Sequence, residues 1–270
     1  MDQYQLKKAF VEGVHTYGTM IASPSPMWVA QIKKIGVDFV FIDLEHMPLD
    51  RSQAAWMCQA YRGMGVAPIV RIPSPDPFEA YKALDGGAAG IVVPYLETVE
   101  QAQAIRGAVK YRPLKGRKLQ DVLYGKTVLT DKESAYLRQY SDGSLLILNI
   151  ESDAAVDRLD ELLAVPDVDA VFIGPHDMSV NIGAPEEYED EHFARNVEKV
   201  IRSCRARQIG VANHFSVSLQ KQLDWAALGM DIMLWNIDLV RFVQVMSQEI
   251  GQMRRSLGEG AQSDAVIPSF

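Results

Sequence analysis

The sequence predicts a single (β/α)8 barrel, of the TIM-barrel class, over its 270 residues. Short runs rich in Val, Ile, Phe and Leu alternate with amphipathic stretches, an order that indicates parallel strands joined by right-handed helical crossovers. Acidic, basic or amide side chains follow most of these runs, as they do where barrel strands end at an active site. The alternative is an open doubly wound sheet, but no G-x-G-x-x-G or G-x-x-x-x-G-K phosphate loop follows any run.

The first half of the chain predicts an amphipathic helix over 3–13 and then four strand–helix units, at a period of about 25 residues. Strands are predicted from runs of β-branched and aromatic residues, and helices from apolar residues at helical spacing. Pro26 suits the first turn of a helix, and Gly36 suits its end. The predicted strands are 16–22, 38–43, 67–72 and 89–95, and the predicted helices are 26–35, 51–64, 78–84 and 98–109.

Residues 111–144 interrupt this rhythm with a long, polar and locally basic stretch. Long insertions in a barrel are usually functional or interface segments, so we expect a loop here with one short helix over 134–140. The small, polar tail from Gly258 is expected to be mobile. Between these segments the predicted strands are 145–151, 169–174, 209–214 and 230–236, and the predicted helices are 154–164, 191–207, 217–227 and 237–256.

Composition restricts the function classes. The net charge of −8 and the lack of a Lys and Arg cluster argue against nucleic acid or an anionic membrane as a partner. Cys58 and Cys204 lie in helical patterns and are expected to be packing residues, which fits a reducing cytoplasm. No signal peptide or membrane-spanning run is recognisable. We therefore expect a cytoplasmic protein that acts on small molecules.

Ionisable and amide residues collect at the predicted strand ends, which a barrel brings to one face. The densest example is FVFIDLEHMPLD over 39–50, where an apolar strand is followed by Asp43, Glu45 and His46. Burying such groups is costly unless they find partners, metal or water. The residues collected at the other strand ends are Arg71, Asn149, Glu151, Asp177, Asn213, His214, Asn236 and Asp238.

These residue types predict enolate chemistry supported by a metal. Glu151 and Asp177 are suited to hold a hard divalent cation with positions left open, as Mg²⁺ prefers. Arg71 could stabilise negative charge on an enolate oxygen, and His46, oriented by Asp43, could be a general base. Each residue also has a purely structural interpretation. Glu151 could complement a helix dipole, Asp177 could cap a turn, Arg71 could form an ion pair, and His46 could be a solvated loop residue.

The chain resembles the HpcH/HpaI family of metal-dependent class II pyruvate aldolases over essentially its full length. The matching stretches are GTMIASPSP, FVFIDLEHMPLD, PIVRIPSPDP, LDGGAAGIVVPYLETVEQA, and ILNIESDAAVDRLDELLAVPDVDAVFIGPHDMS. The resemblance implies a (β/α)8 barrel whose last helix swaps between subunits. It also implies a homo-oligomer, often a hexamer built as a trimer of dimers, in which the 113–124 loop could serve a neighbour's site.

The resemblance also implies residue roles. Glu151 and Asp177 match the metal carboxylates, with Mg²⁺ expected first and Mn²⁺, Co²⁺ or Zn²⁺ as alternatives. Arg71 matches the arginine that contacts the keto oxygen, and His46 matches the catalytic histidine with which Asp43 pairs. The remaining match is the segment that holds the pyruvate carboxylate, formed by Gly174, Pro175, His176 and Asp177.

The implied substrates are a 2-oxo acid and a carbonyl acceptor, and departures from the family pattern leave the acceptor open. Many relatives have Gly at the position of Leu44, Gln at that of Asn149 and a small residue at that of His176. We expect the larger Leu44 and His176 to narrow or recharge the pocket. Besides aldol cleavage or formation, the alternatives are Claisen-type citrate synthesis from oxaloacetate and acetyl-CoA, oxaloacetate decarboxylation, or a non-catalytic metabolite-binding barrel.

Overall fold

The computed structural model describes residues 1–214 and 218–259, and its eight parallel strands form a closed barrel. Each strand pairs with the next along the chain, and the last strand closes onto the first. The predicted fold class is therefore confirmed, and all eight predicted strands are present. The strands are β1 Thr16–Met20, β2 Phe39–Asp43, β3 Ala67–Arg71, β4 Gly90–Val93, β5 Leu145–Ile150, β6 Ala170–Ile173, β7 Gly210–Asn213 and β8 Ile232–Ile237.

The helices surround this barrel, and several begin at capping boxes formed with an Asp or Thr N-cap. The first seven helices are α1 Gln3–Glu12, α2 Pro26–Ile35, α3 Arg51–Gly63, α4 Pro77–Asp85, α5 Val99–Lys110, α6 Gly116–Leu123 and α7 Asp131–Ser141. The remaining helices are α8 Asp153–Asp157, α9 Leu159–Leu163, α10 Pro175–Asn181, α11 Glu191–Arg205, α12 Leu219–Ala227 and α13 Asp238–Ser256.

Three helical predictions need correction. The segment 111–144 contains two helices, α6 and α7, rather than a loop with one short helix. Helix α7 begins at a capping box between Thr130 and Glu133, a signal that the prediction had overlooked. The helix predicted over 154–164 is divided into α8 and α9 at Arg158. The segment after β6, for which the sequence predicts no helix, forms α10 with Pro175 in its first turn.

Two hydrophobic clusters fill the molecule on either side of the strands. Successive strand residues alternate between the barrel interior and the helix layer. Phe39, Phe41 and Ile69 belong to the interior cluster, whereas Val40 and Val70 belong to the cluster beneath the helices. The next interior positions along β2 and β3 are polar, so the interior packing gives way to ionisable side chains at the carboxyl end of the barrel.

The last helix is poorly covered by the rest of the chain. In α13 only Asp238 is buried, and its carboxylate accepts hydrogen bonds from the backbone of Ala22 and Ser23. Apolar side chains along the helix are exposed, and those of Phe242 and Met253 are more than half exposed. Among the described residues no helix is both long and apolar enough to cross a membrane. Most of the tail predicted to be mobile, 260–270, lies outside the described residues.

Candidate active site

The centre of the candidate site is a buried ion pair between the ends of β2 and β3. Asp43 and Arg71 are register partners of the two adjacent strands. The Arg71 Nε and Nη2 atoms donate to the two Asp43 carboxylate oxygens over 2.8 and 2.7 Å. Burial alone would raise the pKa of Asp43, but the Arg71 hydrogen bonds and charge hold it below its usual value. The bidentate contact fixes the plane of the guanidinium.

Glu45 and His46 extend this pair towards solvent. The Glu45 Oε2 atom lies 3.1 Å from Arg71 Nε and 3.9 Å from His46 Nε2, and the His46 side chain is 54% exposed. The expected pairing of Asp43 with His46 is therefore corrected: Asp43 is bound by Arg71, and Glu45 is the carboxylate beside His46. Burial, assisted by the charges of Asp43 and Asp177 and opposed by Arg71, raises the pKa of Glu45 to about 7.

Glu151 enters the same cluster from the end of β5. Its Oε2 atom accepts from the Tyr95 backbone N–H over 3.0 Å, and its Oε1 atom accepts from Asn149 and lies 3.9 Å from Arg71 Nη1. Burial raises the pKa of Glu151 to about 7, reinforced by Asp177 and opposed by the Tyr95 N–H and Arg71. Glu151 therefore faces the barrel mouth and does not act as a cap for α8, whose N-cap is Ser152.

Gly174 makes room for Glu151. A Cβ atom on Gly174 would lie 2.7 Å from both Cγ and Oε1 of Glu151, which is closer than side-chain atoms can approach. Gly174 also precedes α10, so Asp177 lies in the first turn of that helix, where N–H groups lack partners within the helix. The backbone around Gly174 thus brings Asp177 to the same side of the barrel as Glu151.

Glu151 and Asp177 line a common cavity of about 200 Å³, which we call the site cavity. Leu44 and His176, expected to narrow or recharge the pocket, lie outside its lining. Leu44 packs against the hydrophobic cluster beneath the helices, and His176 lies 3.6 Å from Glu186. That expectation stays a prediction, because Arg71 and Glu45 of the same site also lie outside this lining. The other residues that line the site cavity are Tyr95, Leu96, Glu97, Ser152, Val180 and Asn181.

The donor set fits a hard divalent cation. Two carboxylates converge on the site cavity, and carboxylate oxygens are the ligands that Mg²⁺ and similar ions prefer. Burial, reinforced by neighbouring acids that the single guanidinium of Arg71 does not fully neutralise, raises the pKa values of Glu45 and Glu151. Within the described part of the chain there is no group of three or more His, Cys, Asp or Glu residues suited to a metal. Glu151 and Asp177, which both line the site cavity, are the two carboxylates that could hold such an ion there.

Sequence reasoning missed Tyr95. Tyr95 lies two residues after the end of β4, has a left-handed backbone with φ of 50°, and holds Glu151 through its N–H. A non-glycine residue with that φ is uncommon and often marks a functional position. The prediction considered only charged and amide groups at strand ends, so an aromatic residue at this turn gave no signal.

Several side-chain atoms at the ends of β7 and β8 are buried without a hydrogen bond among the described residues. Both side-chain polar atoms of Asn213, Nε2 of His214 and Nδ2 of Asn236 are buried without a hydrogen bond. Asn213 and His214 lie at a predicted strand end, and the described contacts give these side-chain atoms no hydrogen bond. Burial, assisted by the charge of Arg71, lowers the pKa of His214 to about 4, so this imidazole is neutral at pH 7.

Comparison with known proteins identifies the family. Residues 17–244 match the model of the HpcH/HpaI aldolase/citrate lyase family. The chain belongs to this family. It is 28% identical over 250 residues to a hydroxypyruvate/pyruvate aldolase from Roseovarius nubinhibens, covering 92% of this chain and 96% of that protein. It is 37% identical over 189 residues to a 2-dehydro-3,6-dideoxy-6-sulfogluconate aldolase from Pseudomonas putida, covering 70% of this chain and 73% of that protein.

Solved structures agree on the architecture. The citrate synthase SbnG superposes with a TM-score of 0.80 at 22% identity, covering 94% of this chain and 99% of that one. Such low identity supports the fold alone. The family and its curated relatives confirm that this member of the HpcH/HpaI family is a carbon–carbon lyase of the aldolase type. They also support a divalent metal ion as its cofactor.

Proposed function

We propose that this HpcH/HpaI protein is a divalent-metal-dependent aldol lyase that forms or cleaves a 4-hydroxy-2-oxo acid through the enolate of pyruvate. The observation that carries the proposal is the buried Arg71, fixed by Asp43 and placed beside Glu151 at the barrel mouth. A rigid cation at this place is suited to a substrate that develops negative charge on oxygen.

Glu151 and Asp177 are the proposed metal ligands, with Mg²⁺ as the first choice and Mn²⁺, Co²⁺ or Zn²⁺ as alternatives. When bound, such an ion supplies Lewis-acid polarisation of the 2-oxo acid carbonyl, which makes the adjacent methyl group more acidic. Asn149 and the Tyr95 N–H orient the Glu151 carboxylate for this task. Supporting hydrogen bonds of this kind fix ligand geometry in metal sites.

Arg71 is the proposed partner of the enolate oxygen. Its Nε and Nη2 atoms are held by Asp43, whereas Nη1 lies 3.9 Å from Glu151 and makes no hydrogen bond to another described residue. We propose that Nη1 donates to the oxygen on which negative charge develops. Because Asp43 fixes the guanidinium before substrate arrives, little reorganisation is needed during the reaction.

His46 is the proposed acid and base. It removes a proton from the pyruvate methyl group, and the enolate carbon then bonds to the carbonyl carbon of the acceptor. The same proton returns from His46 to the new alkoxide oxygen, so no net proton is consumed. Glu45 Oε2 lies 3.9 Å from His46 Nε2, so a carboxylate stands beside the imidazole that carries the proton between these two steps.

The start of α10 is the proposed site for the pyruvate carboxylate. Gly174 has no side-chain cap, and Pro175 has no N–H, which leaves the N–H groups of His176 and Asp177 in the first helical turn. Donors in this position suit a carboxylate group. The proposal assigns His176 a backbone role, consistent with the position of its side chain outside the site cavity.

Exchange of pyruvate methyl protons in D₂O tests the function without any acceptor. With Mg²⁺ we expect the wild-type protein to exchange these protons and both Arg71→Ala and Glu151→Gln to lose the exchange. Arg158→Ala is the matched control, because Arg158 makes only an exposed pair with Glu161 at the surface. Full exchange in either site variant would reject the assignment.

A second assay separates aldol chemistry from its relatives. Oxaloacetate is supplied with and without acetyl-CoA, and citrate and pyruvate are measured. The aldolase proposal predicts that the protein consumes pyruvate with an aldehyde faster than it forms citrate from oxaloacetate and acetyl-CoA. Citrate as the dominant product would replace aldol lyase with Claisen-type synthesis.

Assembly and location belong to the same proposal. The exposed apolar residues of α13 support a homo-oligomer in which this helix packs on a partner, with a hexamer of three dimers as the proposed form. In such an assembly α6, which occupies the 113–124 loop, is proposed to border a neighbour's site. Buried free thiols at Cys58 and Cys204 are compatible with the proposed cytoplasmic location.

A further inference from the structure

We propose that the site cavity binds the acceptor aldehyde, that this acceptor is a small uncharged hydroxyaldehyde, and that Tyr95 hydrogen-bonds its carbonyl oxygen. This inference rests on the aldolase function proposed above. It concerns the substrate that the family resemblance leaves open, and it depends on the lining of the site cavity by Tyr95, Glu97, Val180 and Asn181.

The volume of the site cavity limits the size of the acceptor. The cavity measures about 200 Å³, below the range of roughly 300 to 1,000 Å³ typical of pockets for drug-sized ligands. Glu151 and Asp177, the proposed metal ligands, form one wall, so the space next to them is where the enolate would meet its partner. A short aldehyde fits within this space, whereas a long or branched one would extend beyond it.

The charge of the cavity lining selects against anionic acceptors. Glu97, Glu151 and Asp177 are the charged residues of that lining, and no Lys, Arg or His is among its described members. A divalent ion on Glu151 and Asp177 would offset two of these charges and leave Glu97. A carboxylate on the far end of the acceptor would therefore meet a like charge with no cation beside it.

Two polar groups in the lining suit a hydroxyl group. The Asn181 Oδ1 atom accepts from the Asp153 backbone over 3.1 Å, and its amide nitrogen makes no hydrogen bond to another described residue. The Glu97 Oε1 atom accepts from Ser152 over 2.5 Å, which leaves Oε2 to accept from a ligand. A hydroxyl group can accept from Asn181 and donate to Glu97 at the same time. An alkyl chain in this place would leave both groups unpaired.

Tyr95 is positioned to contact the reacting carbonyl. Its backbone is fixed in the left-handed region by the bond to Glu151, and its phenol lies within electrostatic reach of Glu45 and Asp177. The side chain is half exposed, and its hydroxyl has no hydrogen-bond partner among the described residues. In the reaction Tyr95 donates a hydrogen bond to the aldehyde oxygen. The proton that neutralises the alkoxide comes from His46, so Tyr95 remains a neutral phenol.

Acceptor competition tests the proposed chemistry. The full-length protein with Mg²⁺ and pyruvate is given glycolaldehyde, propionaldehyde or glyoxylate, and kcat/KM is measured for each aldehyde. Glycolaldehyde and propionaldehyde have the same number of non-hydrogen atoms, so they isolate the hydroxyl group, whereas glyoxylate adds a negative charge. We expect glycolaldehyde to be preferred by tenfold or more over both. Equal or better use of glyoxylate, which is the more reactive carbonyl, would overturn the inference.

Two variants test the residues. Tyr95→Phe should lower the aldol kcat/KM for glycolaldehyde by tenfold or more while it lowers pyruvate proton exchange much less. Glu97→Gln should raise the use of glyoxylate relative to glycolaldehyde by fivefold or more. Tyr4→Phe is the control, because Tyr4 and Tyr95 are both 52% exposed and Tyr4 lies in α1. Equal loss of exchange and aldol activity in Tyr95→Phe would show a structural role only and reject the assignment.

The same assays separate this inference from the function on which it rests. If the wild-type protein fails to exchange pyruvate protons, the aldolase function itself is wrong. If exchange occurs but the acceptor preference is absent or reversed, only the inference about the acceptor is wrong.

Discussion

The two ends of the barrel differ in how many cations pair with their buried acids. At the amino end, Asp169 lies just before β6 and is bound by Lys110 at 2.5 Å and Lys7 at 3.1 Å. Asp231 lies just before β8 and is bound by Arg205 at 2.8 Å. Both carboxylates also accept backbone N–H groups, over 2.8 and 2.7 Å. Each buried acid at this end thus has cations and backbone donors of its own.

At the carboxyl end, several acids share a single cation. Asp43, Glu45 and Glu151 all lie within 4 Å of the Arg71 guanidinium, and Asp177 adds to their charge without a cation of its own among the described contacts. The pKa values of Glu45 and Glu151 are raised to about 7 as a result of burial and this shared arrangement. Buried acids with incomplete pairing cost stability, so their presence marks a functional site.

The comparison predicts opposite outcomes for acid removal at the two ends. Asp169, held by two lysines at the amino end, stabilises the fold and has no contact with the chemistry. Glu45 and Glu151, whose pKa values are raised at the carboxyl end, support the chemistry and lower stability in the absence of metal and substrate. In proteins with catalytic sites, residues that support activity often reduce the stability of the fold.

The largest expected effect is at the amino end. Asp169→Ala leaves the buried Lys110 without its carboxylate, and the loss of one partner of a buried pair costs about 3 to 5 kcal/mol. We expect urea denaturation to show this loss, while proton exchange per folded molecule stays at the wild-type value. Glu161→Gln, which removes a surface pair with Arg158, should change stability by less than about 1 kcal/mol. Unchanged stability in Asp169→Ala would show that the amino-end cluster does not stabilise the fold.

The second effect concerns geometry at the carboxyl end. Gly174→Ala adds a Cβ atom 2.7 Å from Glu151, so the carboxylate must move. A displacement of about 1 Å at a catalytic group can reduce the rate by roughly 100-fold, and we expect that loss in pyruvate proton exchange. Gly63→Ala is the control, because a Cβ atom there meets nothing within 4 Å. Wild-type exchange in Gly174→Ala would mean that the position of Glu151 is not critical.

The sequence predicted the barrel well because its strands carry a strong local signal. A run such as that of β2 is apolar on both faces, as expected for a parallel strand buried between interior and helices, and polar residues follow where it ends. Which strand ends are neighbours also follows from the barrel order, so a shared location for Asp43 and Arg71 was predictable. Segments 111–144 and 154–164 were less predictable because their helices are short and depend on tertiary packing.

Pairings within the site could not be predicted. Asp43 was expected to orient His46, but strand register places Arg71 directly opposite Asp43, and the stronger bidentate contact prevails. The role of the Tyr95 N–H depends on a single backbone torsion after β4, and no side-chain pattern reports such a torsion. Residue types therefore identify the members of the site, and three-dimensional register decides their partners.

The smallest expected effect is the stability that Glu45 costs the folded protein, which depends on pH. The pKa of Glu45 is raised from 4.5 to about 7 in the folded protein. Between these values the folded state binds more protons than the unfolded state, so stability falls as pH rises and the full penalty is present above pH 7. Glu45→Gln removes the titrating group and should stabilise the metal-free protein by about 1 to 2 kcal/mol at pH 8, with little gain at pH 4.

Denaturation midpoints at the two pH values measure this difference. Glu12→Gln, which removes an exposed acid of α1, should show no gain at either pH. The Glu45→Gln variant should also exchange pyruvate protons more slowly, because the carboxylate beside His46 Nε2 is removed. Gain of stability together with loss of activity would establish that the carboxyl end is built for chemistry at the expense of the fold. A variant that is less stable at both pH values would instead place Glu45 among the stabilising acids, and the contrast between the two ends would fail at this residue.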